Sequence, residues 1–228
     1  MEIKVLASSS LGNAYLISDG KTQLLLECGL SFKELKKRSN YEVPLKVDAC
    51  FISHEHHDHS KAVKDLLNAS VDCYMLEETA EAKGVLNHHR TKILKFNTAQ
   101  KVGSFWVLPL QMYHDVPCAG FFIVSIETGQ KLLFATDTYM IEYNLPNLNY
   151  IMIEANYSLD LISDDTKQDR TYKTHMSIDT CIKYLKSIEL SNVRTIYLMH
   201  LSSRNSDALD FKRRVQTATG KPVYICLE

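Results

Sequence analysis

The hexapeptide His54-Glu55-His56-His57-Asp58-His59 places four of the nine histidines of the chain beside an aspartate. It follows a short apolar segment that predicts a buried strand, and it precedes apolar residues at helical spacing. A tight turn at a strand end can direct alternating side chains toward one point. His54 and His56 could then face one ion, while Asp58 and His59 face a neighbouring one. Because imidazole and carboxylate ligands suit zinc, manganese or iron better than calcium, we predict a transition-metal site here.

Three further polar residues each end an apolar segment that predicts a strand: His114, Asp137 and His200. Taken alone, each is more typical of a capping or hydrogen-bonded polar group than of a metal ligand. Strand ends can, however, present such residues to a shared cleft. Together with the histidine-rich hexapeptide, they predict one metal site built from several parts of the chain.

The composition is that of a globular protein, with 228 residues, 45% hydrophobic and 23% charged. A net charge of −1 excludes a global basic field, so any contact with nucleic acid must rest on a local patch. No apolar run approaches the roughly 20 residues that a membrane span needs, and the first residues lack signal-peptide features. The six scattered cysteines predict buried free thiols. We therefore expect a cytoplasmic protein without a membrane partner.

Apolar patterning predicts a strand-rich first part followed by alternating strands and helices. Strands are predicted over 3–7, 14–17, 23–27, 49–52, 73–76, 93–96, 104–108, 120–126, 131–136, 150–154, 195–199 and 223–226. Helices are predicted over 32–38, 60–68 with Ser60 as N-cap, 177–188 and 207–217, with a polar loop over 156–174. This order favours a layered α/β domain with helices on its outer faces.

The combined pattern of histidines and aspartates resembles the ligand set of the metallo-β-lactamase superfamily. That resemblance implies a four-layer αββα sandwich forming a single catalytic domain over residues 1–228, with two divalent metal ions, zinc or manganese. By position, it implies that the first metal is held by His54, His56 and His114, the second by Asp58, His59 and His200, and that Asp137 bridges them.

Shorter motifs are similar to those of the YycJ (WalJ)-like branch of this superfamily: 7–14, 113–117, 135–138, 154–156 and 197–202. That branch is associated with exonuclease activity on DNA and is related to ribonuclease Z and other phosphodiesterases. The resemblance therefore implies hydrolysis of a nucleic-acid or nucleotide phosphodiester. Glu154 and His175 resemble the ribonuclease Z-type pair in which a glutamate supports a histidine near the scissile phosphate. We expect His175 to protonate the leaving alkoxide and Asp58 to orient the attacking hydroxide as well as bind metal.

Two positions depart from the pattern of the branch. Glu27 stands where an aspartate usually supports the metal-binding loop, and we expect altered support without loss of the metal. Thr174 stands where a glycine usually precedes the histidine, which leaves the role of His175 less constrained than the ligand set.

Other functions stay open at this point. A cyclic-nucleotide phosphodiesterase, similar to phage anti-Pycsar proteins, fits the short chain and balanced charge. A hydrolase of thioesters, lactones or β-lactams is disfavoured by the pair of Glu154 and His175. A non-catalytic metal-binding protein is disfavoured by the complete ligand set. Hydrolysis of a generic ester such as bis-p-nitrophenyl phosphate distinguishes the enzymes from the binding protein, and a homodimer remains an open alternative.

Overall fold

The computed structural model describes residues 1–162 and 168–226, and these residues form two β-sheets. The first sheet has the strand order β1-β2-β3-β4-β5-β6: β1 (Glu2–Ser9), β2 (Gly12–Ser18), β3 (Gln23–Leu26), β4 (Ala49–Phe51), β5 (Asp72–Met75) and β6 (Thr91–Ile93). The second has the order β13-β12-β11-β10-β9-β8-β7: β7 (Gln100–Val102), β8 (Phe105–Met112), β9 (Cys118–Ser125), β10 (Lys131–Ala135), β11 (Tyr150–Glu154), β12 (Thr195–Met199) and β13 (Val223–Ile225).

Helices connect these strands. The described residues contain α1 (Phe32–Arg38), α2 (Glu42–Leu45), α3 (His57–Ser60), α4 (Val63–Asn68), α5 (Glu77–Ala82), α6 (Gln168–Thr174), α7 (Ile178–Ser187) and α8 (Ala208–Thr219), with a 3₁₀ turn at Leu159–Leu161. Among them, none has the length and apolar character that crossing a bilayer requires.

The sheets pack face to face because alternate residues of each strand point to opposite faces. Between the sheets, the rings of Phe51 and Phe121 lie 5.6 Å apart, and those of Tyr15 and Phe134 lie 5.5 Å apart. Both pairs belong to one buried apolar cluster that joins the two inner faces. This cluster forms the centre of the sandwich.

Helices cover both outer faces. On the first sheet, Leu25 and Cys50 share a buried cluster with Leu35 of α1 and Leu66 of α4. On the second sheet, the buried outward residues pack with α7 and α8 through a cluster that includes Ile153, Leu198, Leu185 and Phe211. The four layers confirm the predicted αββα sandwich, and the six cysteines are buried and free, as predicted.

Several predicted elements need correction. Ser60 is not an N-cap, because it ends α3 and its hydroxyl donates to the carbonyls of Glu55 and His56, both at 2.8 Å. Helix α4 begins after Ala62 instead. The predicted loop over 156–174 contains the 3₁₀ turn and α6, while its part at 163–167 lies outside the described residues. Helices α2 and α5 and strand β7 were not predicted, since each is too short to show a clear periodicity.

Candidate metal centre

The predicted site residues converge at one edge of the sandwich. His54 follows β4, and His114, Asp137 and His200 follow β8, β10 and β12. In the second sheet β10, β11 and β12 run parallel, and β8 has the same direction because both β8 and β10 are antiparallel to β9. His54, from the first sheet, meets them at this edge, with its Nε2 3.3 Å from Oδ2 of Asp137. A cavity of about 560 Å³ opens there, lined by Ser10, His56, Asp58, His114, Asp137, Thr171, Thr174, His175 and His200.

Three residues at this edge adopt a left-handed backbone conformation. The φ angles are 64° at Glu27, 47° at Asp137 and 55° at His200. Such angles are uncommon for residues other than glycine and cost free energy unless the surrounding structure holds them. Glu27 and His200 directly follow β3 and β12, and Asp137 lies two residues after the end of β10, so in each case the sharp turn comes where the strand ends.

The first cluster contains His54, His56, His114 and Asp137. One potential ligand atom from each side chain lies within 4.8 Å of the others. The Nε2 atom of His54 is 3.3 Å from Oδ2 of Asp137, and Nε2 of His114 is 3.2 Å from Nδ1 of His56. This grouping contains the three histidines predicted for the first metal together with the predicted bridging aspartate.

The second cluster contains Asp58, His59 and His200. The Oδ2 atom of Asp58 lies 3.3 Å from Nε2 of His59 and 3.5 Å from Nε2 of His200. Asp137 also reaches this cluster, because its Oδ2 is 2.8 Å from Nε2 of His59 and its Oδ1 is 2.7 Å from Nδ1 of His200. Asp137 therefore lies between the two clusters and contacts both.

Neighbouring groups determine which nitrogen of each histidine faces the site. Nδ1 of His54 is 2.8 Å from the Ser53 hydroxyl, and Nδ1 of His114 is 2.9 Å from the carbonyl of Thr174. Since the hydrogen bond at one ring nitrogen selects the tautomer, the contact at the Thr174 carbonyl makes Nδ1 of His114 the donor and leaves Nε2 with a lone pair. Such an orientation is that of a metal-binding imidazole.

Two buried imidazole nitrogens that face the clusters, Nε2 of His54 and Nε2 of His200, make no hydrogen bond within the described part of the chain. Each has a carboxylate oxygen nearby, of Asp137 at 3.3 Å and of Asp58 at 3.5 Å respectively. An unsatisfied buried polar atom costs free energy, so such atoms indicate a missing partner. Imidazole and carboxylate donors suit a divalent transition metal. The residues present therefore fit a divalent metal ion.

Burial and charge have opposite effects on the ionisable groups here. Burial lowers the pKa of His54 well below its usual value, which favours the neutral imidazole that binds metals. Burial alone would raise the pKa of Asp137, but the adjacent His200 and His59 imidazoles outweigh it and hold the pKa well below its usual range. Burial likewise opposes protonation of His59, yet Asp137 raises the pKa of that imidazole. Metal binding at the second cluster would therefore release protons.

Glu27 supports this second cluster from behind. Its fully buried carboxylate lies 3.4 Å from Nδ1 of His59 and accepts the backbone N–H of Ser53 at 3.2 Å. The chain approaches closely here, since Cys28 N–H donates to the carbonyl of His59 at 2.8 Å. The Glu27 side chain therefore contacts His59, a member of the second cluster.

Glu154 connects His175 to the second cluster. Its Oε1 lies 2.7 Å from Nδ1 of His175 and 3.0 Å from Nδ1 of His200. Its Oε2 accepts the backbone N–H groups of Thr138 at 3.0 Å and Met176 at 3.2 Å. Burial disfavours a charged His175, but the Glu154 carboxylate outweighs burial and raises the pKa of that imidazole.

Asp115 and Asn13 also contact the clusters and were not among the predicted site residues. The Oδ1 atom of Asp115 lies 3.0 Å from Nε2 of His114 and 3.6 Å from Nε2 of His56. Asn13 lies 3.2 Å from Nε2 of His59 through its amide nitrogen. Both residues lie within motifs similar to those of the WalJ-like branch, 113–117 and 7–14, and this membership was the only sequence signal for them.

The αββα sandwich with histidine and aspartate clusters at one edge defines the metallo-β-lactamase fold. The chain belongs to the family described as the beta-lactamase superfamily domain, whose model matches residues 22–201. Among solved structures, the metallo-β-lactamase fold protein YhfI from Bacillus subtilis is similar, with a TM-score of 0.78 and 20% identity, over 98% of this chain and 95% of that chain.

Two further relatives were found. Exodeoxyribonuclease WalJ of Streptococcus pneumoniae is 24% identical over 221 residues, covering 89% of this chain and 82% of WalJ. The short form of human tRNase Z superposes with a TM-score of 0.63 and 15% identity, over 100% of this chain and 97% of that chain. The family match confirms the predicted superfamily, the sequence similarity to WalJ agrees with the predicted branch, and the tRNase Z structure shares the fold.

Proposed function

We propose that this chain is a metal-dependent phosphodiesterase with two divalent metal ions, and that it acts as a DNA exonuclease. The similarity to exodeoxyribonuclease WalJ over 89% of the chain carries this proposal. The clustered histidines and aspartates supply suitable ligands for the metals. Free buried thiols fit a reducing cytoplasm, where we expect the protein to act.

In this proposal, each cluster holds one metal ion, zinc or manganese. The first ion is bound by His54, His56 and His114, the second by Asp58, His59 and His200, and Asp137 contacts both. When bound, the ions would provide hydroxide at neutral pH and offset the negative charge that develops on the phosphoryl oxygens.

The protein side chains perform the remaining steps of hydrolysis. Attack of hydroxide on phosphorus forms a new P–O bond and breaks the bond to the leaving oxygen, which departs as an alkoxide and takes up a proton. His175 is the proton donor in this proposal, because the Glu154 carboxylate raises its pKa and its ring lines the cavity. Asp58, whose carboxylate reaches both His59 and His200, would also orient the hydroxide.

Glu154 acts as a positioning residue for His175. Nδ1 of His175 is hydrogen-bonded to Glu154 at 2.7 Å, so Nε2 is the nitrogen that is free to donate a proton to the leaving oxygen. Because the same carboxylate oxygen is 3.0 Å from His200, movement of the proton donor relative to the second cluster is restricted.

The test is hydrolysis of end-labelled single- and double-stranded DNA by metal-loaded protein, with cyclic nucleotides assayed in parallel. We expect progressive shortening of DNA from an end, and we expect Asp137→Asn to abolish it. Hydrolysis of cyclic nucleotides without DNA cleavage would replace the exonuclease with a nucleotide phosphodiesterase. Failure of the metal-loaded protein to hydrolyse any phosphodiester would overturn the proposal.

A further inference from the structure

A second cavity lies beside the candidate metal centre. It has a volume of about 370 Å³ and is formed by the end of β1 with the turn that follows it (8–11), by the loop 201–206, by the start of α8 and by Cys226. Ser10 lines both this cavity and the metal-site cavity. We refer to the second cavity as the serine pocket.

Backbone contacts connect the lining of the serine pocket to the metal centre. The N–H of His200 donates to the hydroxyl of Ser8 at 2.9 Å, and Leu201, the next residue, lines the pocket. The wall of the pocket therefore continues directly from a residue of the second cluster. A ligand of the metal centre that extends past Ser10 would enter the serine pocket.

The lining chemistry indicates what kind of group would enter. The ten lining residues are serine, leucine, alanine and cysteine, so none carries a charge. Ser10 and Ser203 are exposed and can exchange hydrogen bonds with a ligand, while Leu11 and Leu201 offer apolar surface. A phosphate group is usually held by cationic side chains or metal ions. Hydroxyl groups beside leucine side chains suit the neutral sugar and base of a nucleoside instead.

The size of the pocket limits the ligand to a small group. A volume of about 370 Å³ is at the lower end of the range of ligand pockets, which begins at roughly 300 Å³. That space suits one nucleoside and not a stretch of duplex. We propose that the serine pocket holds the nucleoside attached to the scissile phosphate, which makes a terminal nucleotide the unit that the site recognises. This inference rests on the proposed phosphodiesterase function.

The test is to fill the pocket from α8. Ala208→Phe places a ring in the pocket, and Ala218→Phe is a matched control near the other end of the same helix. The substrates are the p-nitrophenyl esters of thymidine 5′-phosphate and thymidine 3′-phosphate, compared with bis-p-nitrophenyl phosphate. We expect Ala208→Phe to raise KM for at least one nucleoside ester about tenfold or more relative to bis-p-nitrophenyl phosphate. Ala218→Phe should leave this ratio unchanged.

A second variant covers the case in which Ala208→Phe does not fold. A binding measurement tests the pocket without requiring turnover. Ser203→Phe replaces an exposed loop residue of the pocket, so the variant should fold and should change the KM ratio in the same direction. Thymidine, which has no phosphate, should bind the wild-type protein in an NMR titration, and binding should weaken in both pocket variants.

The possible results distinguish failure of the nucleoside pocket from failure of the proposed phosphodiesterase activity. Hydrolysis of the esters with an unchanged KM ratio in both pocket variants would overturn the nucleoside pocket and leave the phosphodiesterase intact. Loss of thymidine binding in the variants of a protein that hydrolyses no phosphodiester would support the pocket and overturn the proposed activity. Absence of thymidine binding to the wild-type protein, together with an unchanged ratio, would refute the inference.

Discussion

The Oε1 atom of Glu154 lies 2.7 Å from Nδ1 of His175, and the same oxygen lies 3.0 Å from Nδ1 of His200. One buried carboxylate oxygen thus contacts both the proposed proton donor and a member of the second cluster. This relationship links the position of His175 to the metal centre and suggests a test that separates phosphodiester chemistry from generic metal hydrolysis.

We predict that His175→Ala reduces turnover of a natural phosphodiester by about 10²–10⁴-fold, the usual contribution of general acid catalysis. With a p-nitrophenyl leaving group, which departs readily as an anion, the loss should be much smaller. The measurement is kcat on both substrates, with metal content determined in parallel and expected to be unchanged.

His89→Ala provides the control, since His89 is exposed and remote from both clusters in the sequence. Equal losses on both substrates would mean that His175 positions the phosphate or supports the fold. No loss on either substrate would leave His175 with no role in proton transfer.

Removal of single ligands should affect the two clusters differently. His56→Ala should weaken only the first cluster, whereas Asp137→Ala should weaken both, because Asp137 lies 3.3 Å from His54 and 2.8 Å from His59. Elemental analysis of protein purified without chelator should give about two equivalents of transition metal for the wild type, with retention reduced more by Asp137→Ala than by His56→Ala. A wild-type protein that neither contains nor takes up metal on titration would contradict the ligand assignment.

Glu27 should influence metal retention without touching the metal. Its carboxylate lies 3.4 Å from Nδ1 of His59, so Glu27→Gln removes the negative charge that supports this imidazole. We predict a retained fold and metal affinity weakened by roughly ten- to a hundredfold, as is typical when a partner of a ligand is lost. Competition with a chromophoric chelator measures the affinity. The control is Glu127→Gln, a surface change that removes an ion pair with Lys21. Equal metal affinity in the Glu27→Gln and Glu127→Gln variants would exclude a role for Glu27.

The convergence of the site could be predicted from the sequence because its members follow predicted strands. His54, His114, Asp137 and His200 each come after an apolar segment, and parallel strands bring their ends to one edge. The family pattern then grouped Asp58 and His59 with His200, as the second cluster does. The first prediction depended on local signals in this sequence, and the second depended on the resemblance to the family.

Contacts made by backbone atoms and by short helices could not be predicted in this way. The carbonyl of Thr174, at the end of α6, accepts from His114, yet the segment that contains α6 reads as a polar loop. Helix α6 has no clear apolar periodicity, and tertiary contacts such as the ring pair Tyr157–Tyr172 at 5.6 Å accompany it. The proximity of Asp115 to His56 likewise depends on how two distant loops pack.

The last prediction concerns Gly29, where the loop after β3 passes the metal-binding hexapeptide. A Cβ atom at this position would lie 1.5 Å from the carbonyl oxygen of Asp58, so that backbone would have to move. Asp58 and its neighbour His59 both belong to the second cluster, and displacement of their backbone should separate ligand atoms that now lie within 4.8 Å. We therefore predict that Gly29→Ala weakens metal binding at the second cluster in addition to lowering the free energy of unfolding by about 1–3 kcal/mol or more.

Gly129→Ala is the matched control for Gly29→Ala, because Gly129 has a φ of 67° but open space around its Cβ position. That control should cost about 1–2 kcal/mol of stability through backbone strain while leaving metal affinity unchanged. Denaturant unfolding and chelator competition on both variants give the two quantities, and equal metal affinity in both would show that the loop at Gly29 does not position Asp58.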